Sequence, residues 1–117
     1  MDNKKREEFN NLINDIYAEA RKKDCNMQIS NEAYDFILDY GKMISEEFYS
    51  ICDSAKDSAK AFSHDEKTFF TDQVCSYLEY YQAICSLWEL CATEVPAVEK
   101  LVRGMDQVFI SNIDPRT

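Results

Sequence analysis

From Asp72 to Thr93 the chain places apolar residues around most of a helical circumference, and no other segment restricts the fold as much. Val74, Leu78, Tyr81, Cys85, Trp88 and Ala92 recur at alternating spacings of four and three, while Tyr77, Tyr80, Ile84, Leu87 and Cys91 fill an adjoining stripe. Asp72, Ser76, Glu79, Ser86, Glu89 and Thr93 remain as a narrow polar line. A surface helix needs one apolar stripe, whereas a helix apolar over most of its girth needs neighbours on several sides. The expected fold is all-α: a single-domain bundle of four to five helices around a central helix at about 64–93. It occupies residues 1–113, with 114–117 as a short C-terminal tail.

The other segments supply the neighbours. Phe9, Leu12, Ile13, Ile16, Tyr17 and Ala20 lie on one face of a first helix over about 4–23. Asp24, Cys25 and Asn26 read as a turn. Ser30 or Asn31 caps a second helix, with Glu32 in its first turn. Its inward positions are Ala33, Ile37, Tyr40, Ile44, Phe48, Ile51, Ala55, Ala59 and Phe62, and Gly41 in its middle permits a close helix crossing. The run from Ser54 to Ala61 is rich in small residues and is expected to fray or kink. Ser63 and Glu66 form an S-x-x-E capping box, so one long helix is expected from His64, with an irregularity near Thr68 to Thr71. Pro96 stops that helix and opens the last one, which points Val98, Leu101, Val102, Met105, Val108 and Phe109 inward and ends before Ser111.

Only two glycines and two prolines occur in 117 residues, too few for the turns of a sheet protein. No stretch approaches ~18 consecutive apolar residues, so no membrane span is expected. The N-terminus leads directly into an amphipathic helix, unlike a secretory signal. Five cysteines, none in a C-x-x-C pair, read as free thiols and mostly as small core hydrophobes. Together these features predict a cytoplasmic protein.

Charge is distributed unevenly. Residues 1–23 hold six Lys/Arg against five Asp/Glu, and residues 100–117 three against two, whereas residues 24–99 hold four against fifteen. With a net charge of −9, the chain is repelled by phosphate backbones, so direct nucleic-acid binding is disfavoured and a protein partner with a basic surface is favoured. Glu32, Asp39, Glu46 and Asp53 repeat every seven residues with Asp35 beside them. At 1.5 Å per residue they form a line ~31 Å long on one helical face. Tyr34 and Tyr49 flank it as expected partner-binding anchors, since tyrosine joins apolar area to a polar tip.

No catalytic residue, metal ligand or cofactor site is expected. His64 is the only histidine and sits at a helix start, and Gly41 and Gly104 form no phosphate loop. Cys75, Cys85 and Cys91 lack zinc-ligand spacing. The expected function is a small acidic protein-binding module, an inhibitor or immunity-type (anti-defence) protein that blocks a basic, nucleic-acid-handling surface of a larger partner. The alternatives are a structural or assembly subunit with a homo- or hetero-oligomer interface, and a small-ligand-binding bundle.

Met27 to Ala33, a long helix, and then Glu66 to Val74 with Lys67-Thr68 and Thr71-Asp72 resemble a histone-fold layout, in which short extended loops flank a long central helix. The resemblance covers about half the chain and lacks the family's basic DNA-contacting residues. It implies a protein-pairing role, as in transcription-factor subunits.

Overall fold

A computed structural model describes residues 3–22, 27–57, 63–91 and 95–113, with backbone alone at 54–57, 112 and 113. Four α-helices follow in chain order: α1 (Asn3–Ala20), α2 (Asn31–Asp57), α3 (His64–Cys91) and α4 (Pro96–Ile113). No strand occurs among the described residues, so the fold is all-α.

The helix starts follow the capping chemistry. The Ser30 hydroxyl accepts the Ala33 N–H at 3.1 Å. Ser63 and Glu66 close their box reciprocally: Glu66 N–H donates to Ser63 Oγ at 3.2 Å, and Ser63 N–H donates to Glu66 Oε1 at 3.3 Å. α3 then runs unbroken through Thr68 and Thr71, whose hydroxyls donate to carbonyls one turn back. The expected irregularity there is absent. The same continuity removes the second extended loop of the histone-fold layout, because residues 66–74 lie inside α3. α4 opens at Pro96, with Val98 N–H bonded to Val95 C=O at 3.1 Å, and extends past Ser111 to Ile113. α1 ends at Ala20 rather than Lys23. α2 is still helical through Asp57, the first part of the run expected to fray or kink. The expected turn at 24–26, the side chain of Ala55, Ala59, Phe62, the rest of that run, Ala92, Thr93 and the tail lie outside what is described.

α2, α3 and α4 form a three-sided prism. α3 runs antiparallel to the other two, and α1 lies in the groove between α2 and α3. Phe9 is wholly buried there, stacked on Tyr40 at 4.6 Å and Tyr80 at 5.5 Å between ring centroids. Arg6 fixes the N-terminal end of α1 to α3 with a two-pronged bond to Glu79 (3.0 and 2.6 Å), and Asn10 donates to the same carboxylate at 3.2 Å. α2 and α3 cross closely at Gly41, where a methyl group would overlap the ring of the buried Tyr80. The close crossing read from Gly41 is therefore present.

α3 forms one side of this prism and turns inward a different face from the one expected. Gln73, Ser76, Tyr80, Ala83, Ile84, Leu87 and Leu90 are its buried residues. Ser76, expected on the polar line, is fully buried, with its hydroxyl donating to Asp72 C=O at 2.9 Å. Leu78 and Tyr81, expected in the core, are 50% and 46% exposed, and Cys75 and Cys85 are exposed as well. The reason is shape. The inward face carries the small Ser76 and Ala83, which let neighbouring backbones approach.

Candidate functional site: an acidic ridge and groove

The outward face of α2 carries the acidic line intact. Glu32, Asp35, Asp39, Glu46 and Asp53 are all exposed, opposite the buried Ile37, Tyr40 and Ile44. The helix places them there because its 3.6-residue period turns the inward positions toward α3 and α4 and leaves the acids facing water. No ion pair joins any of the five to another described residue. The ridge is a row of solvated negative charge rather than a neutralised network.

Beside the ridge, α2 and α4 leave a groove of about 650 Å³. Asp35, Asp39 and Glu46 line one wall with Lys42 among them, and Leu38, Gly104 and Val108 form an apolar floor. Three carboxylates against one ammonium leave the groove negative. Gly104 lets the two helices approach: a methyl group there would stand 2.9 Å from the Tyr34 hydroxyl and 3.2 Å from Leu38. Tyr34 lies at the groove's rim with the Lys100 ammonium 5.1 Å from its ring centre, a cation–π contact that orients the phenol. Carboxylates above an apolar floor, closed by an aromatic rim, match the anatomy of an Arg or Lys side chain, whose charged head and aliphatic stem need both surfaces.

Four of the seven residues read from the sequence, Tyr34, Asp35, Asp39 and Glu46, line the groove, and Glu32 and Asp53 are exposed further along α2. Tyr49 does not join them. It is half-buried on the α2–α3 side, its hydroxyl 3.5 Å from that of Tyr77, and both rings pack around Phe48. Burial, with Tyr49 beside it, pushes the Tyr77 phenol well above its ordinary range. Lys42, Leu38 and Gly104 were missed because the groove depends on a contact between residues more than sixty positions apart. A glycine inside the otherwise well-formed α4 pattern was the available signal.

His64 is exposed at the start of α3. Among the described residues, no three His, Cys, Asp or Glu side chains converge in a way that could hold a metal ion. No described helix is long and apolar enough to cross a membrane. Compared with models of protein families, with curated proteins and with solved structures, the chain matches none.

Proposed function

We propose that the protein is a small acidic binding module that acts by occupying a basic surface of a larger, nucleic-acid-handling protein, as an inhibitor or immunity protein does. It works by binding rather than by catalysis, in the cytoplasm. The supporting observation is the continuity of the solvated ridge with the groove. Five exposed carboxylates run along α2, and three of them open onto an apolar-floored cleft. Nucleic-acid-binding surfaces are cationic and arranged to meet a row of phosphates; the carboxylates along α2 offer a row of negative charge in their place. Complementarity of this kind raises association rates and makes binding salt-sensitive.

The test is a capture experiment with tagged protein in lysate of the native host at ~50 mM and ~300 mM salt, a range that straddles the screening of surface charge. A nucleic-acid-binding protein held at low salt, shed at high salt, and lost by the combined variant Glu32→Gln, Asp39→Asn, Glu46→Gln, Asp53→Asn is the expected result. A partner held equally by wild type and variant would sink the reading.

A further inference from the structure

The groove beside the acidic ridge has the length and the charge order of a seat for a helix. α2 and α4 run along it side by side in the same direction: Lys100 stacks on Tyr34, Gly104 lies against Leu38, and Glu46 and Ser111 both line it further on. From Tyr34 to Glu46 it extends ~18 Å, more than three helical turns. A single side chain fills one turn of such a groove; a third helix fills all of it.

The charged wall carries the same message. Asp35, Asp39, Lys42 and Glu46 follow one another on α2 at intervals of four, three and four. That alternation averages 3.5–3.7 residues, the interval at which residues flanking a helix–helix seam meet their counterparts on a partner helix. The opposite wall, on α4, is uncharged: Gln107 and Ser111 line it and bond to each other at 3.4 Å. Cations on the occupant are therefore drawn to one edge only, while the floor of Leu38, Gly104 and Val108 accepts apolar side chains.

α1 shows how this fold holds a helix in a groove. It lies between α2 and α3 and stacks Phe9 on Tyr40 and on the Tyr80 ring, which crosses Gly41. Three residues earlier it sends Arg6 to the Glu79 carboxylate on the wall. The groove between α2 and α4 offers the same two things, an apolar floor beside a helical glycine and carboxylates along one wall. None of the four described helices occupies it.

We propose that the groove between α2 and α4 receives an amphipathic basic helix of the partner. Its apolar side chains rest on Leu38, Gly104 and Val108, and Arg or Lys residues on one edge meet Asp35, Asp39 and Glu46, with an acidic or uncharged residue opposite Lys42. The inference rests on the acidic binding role proposed above and names the element of the partner that is bound.

Two synthetic peptides of about 18 residues, ~27 Å as a helix and so long enough to cover the groove, test this. Both contain only Leu, Arg and Ala in the same proportions. One places Leu on a single helical face flanked by Arg at intervals of four and seven; the other is scrambled so that no face forms. Each is titrated into isotope-labelled full chain at ~100 mM salt and followed by amide chemical shifts. The amphipathic peptide should bind at least tenfold more tightly than the scrambled one, with the largest shifts at Leu38, Gly104 and Gln107.

Gln107→Arg, at an exposed position, sets a cation of the chain's own in the groove and should weaken the amphipathic peptide at least tenfold. Glu32→Gln with Asp53→Asn removes twice as much charge outside the groove and should weaken it less than threefold. Equal binding of the two peptides, or a greater loss from the outer pair than from Gln107→Arg, would show attraction by net charge alone and overturn the proposal. The two readings fail separately. Equal peptide binding with lysate capture that still depends on the ridge removes the helix and leaves the binding role. A peptide seated in the groove with no nucleic-acid-handling protein captured does the reverse.

Discussion

At the scale of single residues, the two glycines have opposite consequences although both sit inside helices. Gly41 faces the ring of Tyr80, which is 1% exposed and cannot withdraw. Gly104 faces the hydroxyl end of Tyr34 and the tip of Leu38, both only part-buried. Replacing a helical glycine by alanine gains up to ~1 kcal/mol of helix propensity, whereas forcing atoms into a packed core costs ~1–3 kcal/mol. At Gly41 the steric cost wins. Gly41→Ala should destabilise the protein by about 2 kcal/mol in urea unfolding, while Gly104→Ala should stay within about 0.5 kcal/mol of wild type as Tyr34 swings aside. Equal effects from both substitutions would contradict the α2–α3 crossing described here. The interior also holds polar groups that no sequence pattern announces. Gln73 and Ser45 are fully buried, and neither the Gln73 amide nor the Ser45 hydroxyl has a hydrogen-bond partner among the described residues.

At the scale of elements, α1 is the separable piece, held by Phe9 and by the Arg6–Glu79–Asn10 cluster. The Arg6 guanidinium, with help from Asn10, holds the Glu79 carboxyl below its usual range against the opposing effect of partial burial. A carboxylate whose pKa is lowered by folding contributes stability that is fully present above its unfolded pKa, about 4.3, and is lost as pH falls through the lower, folded value. Acid should therefore release α1 early. Hydrogen exchange of α1 amides should accelerate below pH ~4 before that of α4. Glu79→Gln should cost about 1 kcal/mol at pH 7, since the pair is partly exposed, and should flatten this dependence. An unchanged acid profile would mean that the Phe9 contacts hold α1 alone. The elements themselves were legible because α1, α2 and α4 each carry one apolar face, so period and phase agree. α3 was legible as a helix but not in its rotation. Val74, Leu78 and Tyr81 outweigh Gln73, Ser76 and Ala83 in hydrophobicity, and only the shape of the neighbours decides which set turns inward. The ridge on α2 could be read because it belongs to one helix, whereas the groove could not, because Gly104 and Leu38 meet only after folding.

At the scale of the molecule, the charge that suits the ridge for binding works against the fold. Two carboxylates seven helical residues apart, ~10.5 Å, repel by about 0.4 kcal/mol in water, so the successive couples along the line together cost about 1 kcal/mol. Lowering the Debye length from ~30 Å at 0.01 M salt to ~10 Å at 0.1 M brings the screening distance down to the spacing itself. The melting temperature should rise by a few degrees over that range, because ~1 kcal/mol corresponds to roughly 4 °C in a domain of this size. Asp39→Asn, Glu46→Gln and Asp53→Asn combined should stabilise the free protein at low salt by a similar amount and remove most of the salt dependence; Glu32 is left in place because its charge favours the N-terminus of α2. A variant that is more stable yet no longer binds is the signature of residues kept for recognition at the expense of stability. If neutralisation instead destabilised the protein, the ridge would be a structural element whose partners lie within the fold, and the binding surface would have to be sought on another face.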